Sequence, residues 1–221
     1  MEDRTAQVRE MIRRFNARRP DVVLCTGDLI SRYDEHKQPL PPEVIRWQIE
    51  WLRQYLPGLE APLPTTIGNH DVAFAETRRH WCTAMGGGLG CAPDDWSIDW
   101  GVYHLAMPDC FAYYGENNVA MTTSFRPEQI AWLQRDLGSV SGDGVHLLFA
   151  HYDYQEQLPV ILPSLGLDAF FYGHSQSLYP EVLQHYGIWD GHLAGKLAYR
   201  LVHLIGRDVI EQDCASWDLL A

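Results

Sequence analysis

The chain has 221 residues, 46% of them apolar, and a formal net charge of −12. That length supports one substantial core, with roughly 70% of the extended chain's surface buried; no Pro/Gly/Ser-rich linker divides it, so a single domain over residues 1–221 is expected. The acidic balance disfavours a nucleic-acid polymer as partner, since that needs a cationic footprint, and no run of 18 apolar residues exists to span a membrane.

In chain order, Val8, Met11, Ile12 and Phe15 recur at helical spacing and predict a helix over 5–19, stopped by Pro20. The run DVVLCT at 21–26 predicts a strand covered on both faces, because it does not alternate. A second helix is expected over 43–56. Its apolar stripe is Val44, Trp47, Trp51 and Tyr55, widened by Ile45, Ile49, Leu52 and Leu56. The segment 63–67 reads as a strand, 74–82 as a helix and 84–98 as a long Gly-rich loop. Residues 101–107 and 110–114 read as strands joined by a tight turn at Pro108 and Asp109. A helix over 126–137 has Pro127 in its first turn. Strands follow at 145–150 and 168–172. The tail GKLAYRLVHLIGRDVIEQD alternates and predicts an antiparallel hairpin turning at Gly206 to Asp208. The sum is an α/β chain with a mixed sheet system and helices outside.

The chemistry collects at strand ends. Four apolar strands finish in residues able to bind metal: Asp28, Asn69, His151 and His174. In open α/β sheets, ligands sit beyond the carboxyl ends of the strands. A carboxylate, an amide oxygen and two imidazoles suit zinc, manganese or iron better than magnesium or calcium. Taken singly, each residue reads as an ordinary loop or turn residue; four at equivalent strand ends do not. Other motifs fall away. GGGLG at 86–90 lacks the Lys-Ser/Thr of a P-loop, and no G-x-S-x-G elbow accompanies Ser31 or Ser175. His104 and His146 alternate with core positions and read as exposed. Aromatic Trp96, Trp100, Tyr113, Tyr114, Tyr152 and Tyr154 read as core or rim packing. The N-terminal MEDRTAQVRE shows no targeting signal. Five cysteines without Cys-x-x-Cys fit free thiols, and a cytoplasmic location is expected.

Taken in order, GD at 27–28, GNHD at 68–71, His151 and GH at 173–174 resemble the motif set of the calcineurin-like metallophosphoesterases, over about residues 5–206. The soluble cyclic-nucleotide phosphodiesterase branch is similar in size. The resemblance implies a four-layer αββα sandwich, two bound metals and hydrolysis of phosphate mono- or diesters. It assigns Asp28 as the carboxylate bridging the metals, with Asn69, His151 and His174 completing the second metal's ligands. It gives His70 the phosphate contact and the leaving-group proton. Asp71 is assigned to hold the His70 ring by accepting its other N–H.

Two departures fall on the first metal. No Asp-x-His precedes Asp28, so the family's N-terminal strand is missing, and the final motif is GHSQ, with Gln176 where a histidine ligand would stand. Amide oxygen is the poorer ligand for a transition metal. Three readings fit: an N-terminally shortened chain, a divergent one-metal enzyme, or a non-catalytic relative that binds a metal or phosphate. Loss of a first strand would not alter GHSQ. The expectation is therefore one tightly bound manganese, iron or zinc, the second weak or absent, with Asp190 and His192 as candidate substitute ligands. The expected partner is a small-molecule phosphoester, recognised by loops at 32–42, 84–100 and 152–163. A homodimer, or a segment covering the gap, is also expected, because the missing strand would leave a sheet edge open.

Overall fold

The computed structural model describes residues 5–34, 36, 38–85, 95–109, 111–114, 119–121, 124–140, 142–152, 154, 157–174, 188–190 and 196–218. The chain divides into two compact units. One comprises Met1–Pro93, Tyr114–Val119 and Leu219–Ala221; the other comprises Asp94–Tyr113 and Ala120–Asp218.

The first unit opens with α1 (Thr5–Arg18), which buries Ile12. Its exit is fixed by Arg19, whose φ of 49° and N–H bond to Asn16 O turn the chain into Pro20. Asn16 then ties the helix to a later turn, donating to Gly58 O and accepting from Glu60 N. In α2 (Pro42–Arg53) the buried residues are Ile45, Ile49 and Leu52. These are three of the eight residues of the predicted broad stripe. Trp47 is 51% exposed and stacks on Trp51, which packs in turn on Tyr55. Aromatic residues four apart cover one another along a helix surface, so they do not need the core. A 3-10 turn at Leu56–Gly58 follows, and α3 (Ala75–Met85) packs Trp81 with no exposed surface.

The predicted strands at 21–26 and 63–67 take a reduced form. Val23 N–H donates to Pro62 O, Cys25 N–H to Pro64 O, and Thr66 N–H to Cys25 O, at 2.9–3.0 Å. The next rung would need an N–H at position 64, and Pro64 has none. What remains is a single parallel bridge between Cys25 and Thr65. It suffices to bring the loops following the two segments side by side.

The second unit is built on a five-stranded mixed sheet. Strands β1 (Trp96–Trp100) and β2 (Tyr103–Met107) form an antiparallel hairpin across Gly101, whose φ of 63° suits a two-residue turn. This corrects the reading of 84–98 as loop throughout. It also corrects the pairing of β2, because β3 (Phe111–Tyr114) pairs instead with β4 (Val119–Met121) in a separate two-stranded sheet. After α4 (Pro127–Gly138) come β5 (Val145–Ala150), α5 (Leu158–Leu165), β6 (Ala169–Tyr172) and β7 (Ile188–Asp190). The order is β1-β2-β5-β6-β7, parallel from β2 onward. Helix α5 falls in a segment expected as loop. Proline is tolerated at Pro159 because the first turn needs no N–H there. Leu147, Leu148, Phe149, Ala150 and all of β6 are buried, as a non-alternating parallel pair requires. The tail forms the expected antiparallel hairpin, β8 (Lys196–Ile205) with β9 (Asp208–Asp218), irregular at Leu201 and Val202.

His104 is 5% exposed, against the expectation of an outward position. Its Nδ1 meets Asp99 Oδ1 at 2.7 Å and its Nε2 meets Asp136 Oδ2 at 2.8 Å, so β2, β1 and α4 are clasped through one ring. Ser97 donates to the other Asp136 oxygen. Two carboxylates facing two ring nitrogens call for both nitrogens to donate, which is the imidazolium. Burial alone would lower its pKa; Asp136 and Asp99 outweigh burial and hold it above the ordinary value. A group whose folded pKa is raised contributes stability that is complete below the unfolded value of about 6.5 and lost as pH rises through the folded one. In urea unfolding, His104→Gln should be about 1.5–3 kcal/mol less stable than wild type at pH 6. The gap should narrow toward pH 9.

Candidate functional site

Within the first unit, the loops after the Cys25–Thr65 bridge hold Asp28, Asn69, His70 and Asp71. Gly27 and Asp28 both have positive φ, 96° and 61°. That conformation is strained for an aspartate and tends to occur where surrounding contacts over-determine it. The contacts are plain. The Asp71 carboxylate accepts the N–H of Asp28 (2.8 Å), Leu29 (2.8 Å), Ile30 (3.2 Å) and Gly68 (2.7 Å). Reciprocally, Asp28 Oδ1 accepts the N–H of His70 at 2.8 Å. Each aspartate thus captures the backbone of the other's loop.

Asp71 has no exposed surface. Burial, with the Asp28 carboxylate beside it, raises its carboxyl above the usual range, while the N–H groups of Gly68, Asp28 and Ile30 pull it back. The sequence reading gave Asp71 the His70 ring as its partner; its oxygens take these four backbone groups instead. The His70 ring stands edge-on to Tyr33, with centroids 5.4 Å apart. Asn69 is 6% exposed. Cys25, just upstream, is a bystander: burial pushes its thiol up to about 11, so it is un-ionised at neutral pH.

Within the second unit, His151 directly follows β5 and His174 lies two residues beyond β6. The parallel register pairs Ala150 with Tyr172, and Gly173 N–H donates to His151 O at 3.2 Å, so both histidines leave the sheet at one level. His151 is 1% exposed, whereas His174 is exposed and has a φ of 62°. Their rings are 67° apart and His151 Nε2 faces His174 Nδ1 at 3.2 Å. Tyr152, 4% exposed, packs edge-on against both rings, with centroids 5.0 and 4.4 Å away.

The donors suit a divalent transition metal. Bonds of 2.0–2.1 Å from two imidazoles to one ion put their nitrogens about 2.8–3.4 Å apart at octahedral or tetrahedral angles. The 3.2 Å separation falls in that range. Gln176 and His192 lie outside the described residues, as does the side chain of Asp190.

The calcineurin-like phosphoesterase family model matches residues 1–177. The chain belongs to that family, whose members are metal-dependent hydrolases of mixed α/β fold. No curated protein matches the sequence. Fourteen chains of solved structures match. One is the sulfate thiohydrolase SoxB of Thermus thermophilus in complex with glycerol, at 15% identity and a TM-score of 0.56. That alignment covers 98% of this chain and 42% of the other, and at this identity it speaks for the fold alone. No helix among the described residues is long and apolar enough to cross a membrane.

Gly68, the glycine that opens GNHD, brings the second loop close against the first. A Cβ there would lie 2.3 Å from Asp28 Oδ1 and 2.4 Å from Asp28 N. Gly68→Ala must therefore push the Asp28 loop away. A loss of about 1–3 kcal/mol in denaturant unfolding is expected, of the size seen when a packed site is overfilled. A variant as stable as wild type would show that this approach is not needed.

Proposed function

We propose that the chain is a metal-dependent phosphoesterase acting on a small phosphomonoester or phosphodiester, with one tightly held manganese, iron or zinc per chain. Family membership supports the reaction class. The observation that carries the reading to particular residues is the facing pair of ring nitrogens on His151 and His174, spaced at 3.2 Å as two ligands of one ion would be. The family's motif pattern assigns Asp28 and Asn69, each just past an extended segment, as the oxygen donors.

When bound, such an ion acts as a Lewis acid toward a phosphoryl oxygen and lowers the pKa of water. The chain's own residues then have separate tasks. Asp28 Oδ1 accepts the His70 N–H, which orients its carboxylate. Tyr152 steadies both imidazoles by packing on them. His70 holds the proton delivered to the leaving oxygen, and Tyr33 braces its ring. A second ion is expected to be weak, since the Asp28 carboxylate and the Gln176 amide offer few strong donors.

Elemental analysis after dialysis against metal-free buffer should give about one transition metal per chain. His151→Ala should lose it nearly completely to a chelator. A reproducible value near two would defeat the one-metal reading, and no retained metal would defeat the site.

Hydrolysis of an aryl phosphate or a bis-aryl phosphodiester with added manganese should be slowed about 10²- to 10⁴-fold by His70→Ala, with metal content kept. An unchanged rate removes His70 from the mechanism. A wild-type protein that binds metal but hydrolyses neither ester is a binding protein on the same fold.

A further inference from the structure

We propose that Asp71 is the positioning residue for Asp28: it sets the metal affinity of the Asp28 carboxylate by holding the backbone that carries it. The inference rests on the reading of Asp28 as a metal ligand.

Three observations lead to it. First, the Asp71 side chain reaches across more than forty residues of chain to collect three consecutive N–H groups, those of Asp28, Leu29 and Ile30. Consecutive amides converge on one anion only when the backbone is bent around it. Second, Asp28 sits at a φ of 61°, a conformation that a non-glycine residue holds only under external constraint. The bond from its own N–H to Asp71 Oδ2 is a constraint of that kind. Third, Asp71 also takes the N–H of Gly68, which locks the second loop to the first. The Gly68 position is then close enough to Asp28 that no Cβ fits. The side chain of Asp28 is thereby confined from its backbone, from His70 N–H and from Gly68.

Four N–H donors fill a carboxylate's acceptor sites, so Asp71 acts on the metal through Asp28 rather than as a ligand. An amide cannot replace it. Asn at this position would offer one oxygen and turn an NH₂ toward N–H groups, leaving two of the four donors without an acceptor.

The experiment compares wild type, Asp71→Asn and Asp136→Asn, the last a carboxylate of the His104 clasp that has no part in the site. Zn²⁺ affinity is measured by competition with a chromophoric chelator. Amide hydrogen exchange is followed at Leu29 and Ile30, and circular dichroism confirms folding. The expected result for Asp71→Asn is a Zn²⁺ affinity about 10- to 100-fold weaker, together with faster exchange at both amides. Asp136→Asn should leave the affinity unchanged.

Unchanged affinity in folded Asp71→Asn overturns the proposal. So does a loss of turnover with affinity intact, since Asp71 would then act on His70. So does an equal loss in Asp136→Asn, which would make the effect one of general stability. If wild type binds no Zn²⁺, the functional reading fails at that point, and the amides alone decide whether Asp71 holds the loop; unaltered exchange there overturns it. If Asp71→Asn does not fold, Asp71→Glu keeps the charge but moves it by one carbon, and the same two readouts and outcomes apply.

Discussion

A carboxylate without exposed surface needs compensation from the protein, and Asp71 receives it from four backbone N–H groups on two loops. Much of the first unit depends on that arrangement. The two extended segments meet through only one bridge, because Pro64 cannot supply the next donor. Polar contacts beyond the bridge therefore keep the loops in register. The exchange between Asp71 and the Asp28 backbone, and between Asp28 and the His70 backbone, provides them. The strained φ at Asp28 follows from the same contacts.

The second unit reaches the same end by different means. A parallel pair of largely buried strands, β5 and β6, puts two histidines at one level as the chain leaves the sheet. Here ordinary ladder hydrogen bonds and apolar packing do what Asp71 does in the first unit. Phe149 stacks on Phe171 across the pair, with ring planes 5° apart, and Tyr152 closes against both imidazoles. The charged clasp at His104 lies elsewhere in this unit and joins α4 to the β1–β2 hairpin. It concerns stability, and it shows that a buried histidine between carboxylates need not be a ligand.

Membership of the calcineurin-like phosphoesterase family places the chain in a superfamily that is generally one of metal-dependent hydrolases and leaves the substrate open. The likeness to a sulfate thiohydrolase, over 42% of that protein's length, illustrates how far one fold extends. One departure from the family pattern lies inside the sequence itself: Gln176 after His174. Any altered chemistry would originate there.

The candidate site residues were chosen in the sequence from local signals. GD, GNHD, His151 and GH each follow an apolar run, and the run, the glycine and the polar residue are neighbours in the chain. Helices α1, α2 and α4, strands β5 and β6, and the β8–β9 hairpin were legible for the same reason, since periodicity and turn residues act over a few positions. What the sequence could not decide was pairing at a distance. Asp71 was read as a partner for the adjacent His70 ring, but its partners include a loop more than forty residues earlier. Strand β2 was paired with the nearest following strand, but it lies between β1 and β5. His104 was read from alternation alone, although Asp136 on a later helix is what allows it to be buried. In each case the choice was among partners of equal local merit. Tertiary structure settled it by which buried polar group each partner could satisfy.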